Sequence, residues 1–203
     1  MAEDEVPPPP SPPLSTTLHR RLLALDAAVS HHLHALSSPF VPLPLLRLLE
    51  FSGDGRLWFP LSLSLLLSPY SFPSSNPLPL TLLIALLLDV VVIGLMKHLV
   101  KRPRPAYNAA MGRIIPVDHW SFPSGHASRV CAIASVLCLN HSGDDAVLVG
   151  VWVWAGVTAG SRVVLGRHYV VDVVAGLWIG VVVGFVADWI GRVYVLDLWT
   201  QRY

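Results

Sequence analysis

A chain of 203 residues with a mean hydropathy of +0.58 carries more apolar side-chain surface than an ordinary soluble core hides. Hydrophobic residues make up 53% and charged residues only 13%, against roughly 25% charged in soluble domains. The length suits one compact unit, the charge-poor runs point to a bilayer, and a net charge of +1 gives no sign of a nucleic-acid partner.

Residues 1–17, opening MAEDEVPPPPSPP, are acidic and Pro-rich and lack the basic start and apolar core of a secretory signal, so a disordered tail is expected. Residues 18–36 mix leucines with Arg and His at helical spacing, which predicts an amphipathic helix within an interfacial segment, 18–55. A membrane-embedded unit is expected over 56–192. Its first apolar run, Leu57 to Tyr70, is short and bounded by proline. Leu78 to Val100 is the clearest span, long enough at about 1.5 Å per residue for the roughly 30 Å hydrocarbon layer. A basic loop, 101–122, follows. Ala127 to Leu139 predicts a short helix starting near Gly125, and Cys131 and Cys138, about two turns apart in it, read as small buried hydrophobes rather than a disulfide or metal pair. Ala146 to Leu165 and Val170 to Ile190 have near-spanning length, with Gly, Ala and Ser for close packing. The turns at 141–145 and 166–168 are short, which predicts antiparallel neighbours. Residues 193–203 are expected to form a tail. The fold class is therefore all-α, a polytopic helix bundle with about five membrane-embedded helices and an N-terminal amphipathic helix. Sustained period-two alternation is missing, which argues against a β-barrel.

Topology joins distant residues. If the 78–100 helix exits on one face, the loop after it, the start of the next helix and the turn near 166 all return to that face. Lys97, Arg104, Ser124, His126, Arg162 and His168 then share a pocket. Taken singly, the basic loop reads as topogenic or lipid-facing, and each histidine as interfacial. Asp172 alters the balance, because it lies four residues after His168 on the same helical face and can orient its imidazole. Charges within a bilayer usually face a bundle interior or polar cavity. Asp118 and His119 form no convincing ligand set and read as loop-positioning residues, and there is no dense Asp/Glu cluster for magnesium.

Three stretches give the pattern a family likeness: KHLVKRPRP at 97–105, PSGH at 123–126 and SRVVLGRHYVVD at 161–172. Together they resemble the type 2 phosphatidic acid phosphatase superfamily of membrane lipid phosphatases, over about residues 78–190. The segment LLEFSGDGRLWFP resembles the branch of polyisoprenoid diphosphate phosphatases and plant beta-type lipid phosphate phosphatases. The resemblance implies a multi-pass enzyme, expected in the endoplasmic reticulum membrane, that hydrolyses a lipid phosphate or isoprenoid diphosphate without magnesium or any other cofactor. It implies that His168 is the nucleophile forming a phosphohistidine, that Asp172 holds its tautomer, and that His126 is the general acid. Lys97, Arg104 and Arg162 would hold the non-bridging oxygens, with Ser124 and the Gly125 N–H as further donors. Arg102 lies outside the pattern and is expected only to attract anions. The alternative from another class is a non-enzymatic lipid-phosphate binding or transport protein using the same basic pocket.

Overall fold

A computed structural model describes residues 14–68, 77–107 and 119–200, and all regular structure among them is helical. In chain order the helices are α1 (Leu14–Ser37), α2 (Leu43–Ser52), α3 (Gly55–Leu67), α4 (Leu78–Val100), α5 (Gly125–Leu139), α6 (Asp145–Val164) and α7 (Val170–Thr200). Most of the expected Pro-rich tail lies outside the described residues, as do Arg113 and Asp118 of the basic loop. Two boundaries differ from expectation. α1 already begins at Leu14, within the segment read as tail, and α7 runs to Thr200, through most of 193–203. No Gly or Pro lies between Arg192 and Thr200 to stop it.

Local chemistry sets the other ends. Asp54 and Asp144 cap α3 and α6 by accepting the N–H groups of Arg56 and Ala146, at 2.8 and 2.9 Å. Ser124 caps α5 in the same way, its Oγ accepting from Ala127 N–H. Lys101 takes a left-handed conformation (φ 51°) at the end of α4 and returns its N–H to the Lys97 carbonyl. Among the described residues three helices are long and apolar enough to cross a membrane: α4, α6 and the Val170–Tyr194 part of α7. α5 has 15 residues, about 22 Å by helical rise, and α3 has 13 with Pro60 inside.

α5 occupies the centre. It packs against α7 most extensively, then against α6 and α4, while α3 lies on α4 and α2 on α6. The short turns predicted antiparallel neighbours, and of the two pairs α5 and α6 pack far more closely than α6 and α7. The second pair meets lightly, through Ala159 and Val163 against Val170 and Val173, because α7 turns its small residues toward α5 instead. Gly176, Gly180 and Gly184 recur every fourth position. A methyl at Gly176 would meet the Ser124 carbonyl at 2.5 Å, and one at Gly184 would meet Ser135 Cβ at 2.5 Å. Below this seam, Leu82 and Leu86 of α4, Ile133 and Val136 of α5, and Val183 of α7 form the main apolar cluster. Large residues such as Val91, Leu95, Val153, Trp178 and Trp189 stay exposed on the outer surface, as a lipid-facing surface requires. Cys131 and Cys138 are free thiols, the first buried and the second half-buried. An ion pair joins α4 to α5 inside the bundle, between Asp89 and Arg129 at 3.2 Å.

Candidate active site

The turn joining α6 to α7 is tight because Gly166 adopts φ +67°, and a side chain there would strike the Tyr107 ring at 2.8 Å. The N–H groups of Arg167 and His168 both point back to the Arg162 carbonyl, at 3.0 and 3.3 Å. This fold-back buries His168 to 2% exposure at the head of α7.

The His168 imidazole has one fixed role. Its Nδ1 lies 2.7 Å from the Ser121 carbonyl, and a carbonyl oxygen only accepts, so Nδ1 carries the proton. Nε2 is left with its lone pair. The expected direct contact from Asp172 is longer, 3.8 Å to Nδ1. Asp172 instead organises the group that holds the imidazole. It accepts from Ser121 Oγ, from Tyr169 N–H at 2.9 Å and from Arg102 Nη1 at 2.7 Å. Its own carbonyl accepts the Ser124 N–H at 2.9 Å, which ties the PSGH turn to α7.

The cations converge on this point. Lys97 is buried and donates from Nζ to the Trp120 carbonyl at 2.9 Å, while Arg104 Nη1 reaches the Arg167 carbonyl at 3.3 Å. Arg162, 1% exposed, sends Nη2 to Glu50 of α2 at 3.1 Å, and Arg167 reaches the same carboxylate oxygen at 3.2 Å. Burial first, and then the charges of Arg104, Arg162 and Lys97, push the His168 pKa down to about 4, against the opposing pull of the Asp172 carboxylate. Ser124, Gly125 and His126 form the start of α5, where unpaired N–H groups and the helix dipole favour an anion. His126 lies within electrostatic reach of both His168 and Arg162. Among the described residues His126 Nε2, the Nε and Nη1 of Arg162, the Nε of Arg167 and the Tyr107 hydroxyl are buried here with no protein hydrogen-bond partner, so these atoms are open to a ligand or to water.

The structure thus brings Lys97, Arg104, Ser124, Gly125, His126, Arg162, His168 and Asp172 to one end of the bundle. Arg102 differs from expectation. It is held between Asp26 and Asp172, both at 2.7 Å, and lies over the Tyr169 ring at 4.0 Å, so it is a structural clamp rather than a lure for anions. Ser121, Glu50 and Asp26 were not anticipated. Glu50 left one trace in the sequence, as the lone acid in the leucine-rich helix LPLLRLLEFS. Among the described residues no group of three or more His, Cys, Asp or Glu is placed to hold a metal ion.

Known proteins share this architecture. The profile of the PAP2 superfamily matches residues 78–193. The chain is 42% identical to "Probable lipid phosphate phosphatase beta" of Arabidopsis thaliana over 198 residues, 85% of this chain and 91% of the relative. The crystal structure of Aquifex aeolicus LpxE superposes with a TM-score of 0.57 at 25% identity, covering 77% of this chain and 92% of that one. A PAP2-type phosphatidylglycerolphosphate phosphatase from Bacillus subtilis gives a TM-score of 0.62 at 21% identity, covering 85% and 87%.

Proposed function

The chain belongs to the PAP2 superfamily, and from that membership we propose that it hydrolyses a membrane lipid phosphate or isoprenoid diphosphate through a phosphohistidine on His168. The observation that carries the mechanism is the pairing of a committed Nδ1 on His168 with unpartnered, buried donors on Arg162 beside it. The first makes Nε2 a nucleophile. The second leaves a place for phosphate oxygens.

Lys97, Arg104 and Arg162 take the non-bridging oxygens, joined by the Ser124 hydroxyl and the Gly125 N–H at the head of α5. Glu50 occupies only Nη2 of Arg162, so Nε and Nη1 face the substrate. Nε2 of His168 attacks phosphorus, an N–P bond forms, and the bond to the leaving oxygen breaks. His126 gives that oxygen its proton. Water then attacks the phosphohistidine while His126 takes a proton back, the N–P bond breaks, and inorganic phosphate departs. Asp172 holds Ser121 and, through its carbonyl, the imidazole. The three cations neutralise the charge that builds up on the phosphoryl group, so no metal is required.

Purified protein incubated with phosphatidic acid, farnesyl diphosphate or presqualene diphosphate should release phosphate in excess EDTA. A rapid quench with radioactive lipid phosphate should trap label on the protein, and His168→Ala should abolish that label. Activity that appears only with an added divalent ion, or undiminished label in the variant, overturns the mechanism. We place the site on the cytoplasmic side of the endoplasmic reticulum membrane; the charge bias supporting that side is weighed below.

A further inference from the structure

α1 lies outside the stretch that the PAP2 profile matches, yet it grips the catalytic turn at both ends. Ser30 Oγ accepts from Val170 N–H at 2.9 Å and Asp26 Oδ1 from Val171 N–H at 3.1 Å. These are the first two residues of α7, whose N–H groups have no acceptor within their own helix. One turn further along α1, His34 Nδ1 donates to the carbonyl of Val164, the last residue of α6, at 2.7 Å. Residues 26, 30 and 34 lie on one stripe, and that stripe brackets the turn carrying His168.

α1 therefore docks in an unusual sense. Its polar stripe is turned inward, with Asp26 and Ser30 buried, while Leu18, Leu22, Leu25 and Val29 are exposed. Apolar packing is not what seats this helix. The second oxygen of Asp26 takes Arg102 Nη2 at 2.7 Å, and Nη1 of the same guanidinium takes Asp172 Oδ1 at 2.7 Å. Arg102 is 11% exposed, and its two carboxylate partners are 5% and 0% exposed, so solvent screens neither contact well. A buried arginine shared between two carboxylates fixes both in place, because its planar fork tolerates few geometries.

We propose that Asp26 is a positioning residue for the nucleophile: through Arg102 it sets the Asp172 carboxylate, and through Ser121 the aim of His168 Nε2, so that the seating of α1 governs turnover. This rests on the phosphatase assignment above. Asp26 touches neither substrate nor reacting atom, so its loss should slow the chemical step and leave lipid binding alone.

Asp26→Asn removes the charge and keeps an oxygen for the Val171 N–H, whereas Asp26→Glu keeps the charge. Both full-length variants are assayed beside the wild type in detergent with phosphatidic acid, and amide hydrogen exchange is followed over residues 165–172. The expected result is a fall of about ten-fold in kcat for Asp26→Asn with KM nearly unchanged, recovery of most of the rate in Asp26→Glu, and faster exchange in the 165–172 segment of Asp26→Asn. Asp26→Asn turning over like the wild type overturns the proposal, as does a loss in Asp26→Glu equal to that in Asp26→Asn. An inactive wild type with each lipid phosphate tested counts against the phosphatase assignment instead. In that event exchange alone decides the α1 contact, unchanged protection of 165–172 in Asp26→Asn being the result that overturns it.

Discussion

With its pKa pushed down to about 4 by burial and by Arg104, Arg162 and Lys97, the imidazole of His168 is neutral at pH 7, the state that the proposed mechanism asks of its nucleophile. That arrangement has a pH signature. Between pH 4 and the ordinary value of 6.5 the folded chain binds fewer protons at this residue than the unfolded chain does. The contribution to stability is fully present above pH 6.5, declines as pH falls and is gone below pH 4. A shift of this size is on the order of 3 kcal/mol. In detergent, the Tm of the wild type should therefore drop further between pH 7 and 4.5 than that of His168→Asn, and parallel curves for the two proteins would sink the idea. The meeting of Lys97, Arg104, His126, Arg162 and His168 at one end was legible from the order of the helices, and the Asp172 position from its four-residue spacing to His168. The group that fixes the tautomer was not, since it is the backbone carbonyl of Ser121, and every residue has one. Glu50 reaches Arg162 across 112 positions of sequence, and no spacing rule connects them.

At the level of helices, the seam between α5 and α7 sets the distance between the two histidines. His126 opens one helix, His168 precedes the other, and the Ser124 N–H bound to the Asp172 carbonyl joins them. Gly180 lies along this seam, where a methyl would meet Cys131 Cβ at 2.8 Å and the Ala132 nitrogen at 3.0 Å. Gly180→Ala should push the helices apart, cost about 1–3 kcal/mol and lower turnover. Gly94→Ala on α4, where nothing lies within 4 Å of the added carbon, serves as the control and should melt no lower than the wild type. Equal melting temperatures and rates for all three proteins would show that the seam has slack. The four helices from α4 to α7 were plain in the apolar runs, and α4 begins and ends where the sequence indicates, whereas α2 was not foreseen. The partners of those four were not plain. A short turn shows that α6 and α7 run in opposite directions, but small residues at every fourth position do not say which neighbour they face.

Across the whole molecule, the charges divide by end. α1 and α2 touch the turn that carries His168, so Arg20, Arg21 and Arg47 belong to the motif end with Lys101. Arg102, Arg129 and Arg167 are engaged by carboxylates there and do not count as topological signals, nor do the phosphate-binding cations. Among the described residues that leaves four basic residues at the motif end against none at the far end, where Asp188 holds Arg192 at 2.7 Å, and this favours a cytoplasmic motif end. A cysteine placed at Ala109, with Cys131 and Cys138 changed to serine, should be labelled in intact microsomes by a reagent that does not cross membranes. Labelling only after permeabilisation would put the site in the lumen. The central position of α5 also bears on how the chain is made. A ribosome delivers this helix before α6 and α7 exist, at about 22 Å too short to rest across a bilayer alone and bearing Arg129. Asp89 precedes it on α4 and pairs with that arginine at 3.2 Å, so the two helices can enter the bilayer with their charges already matched. His126 is made before His168, so under the proposed mechanism a chain cut short before α7 would carry the acid without the nucleophile.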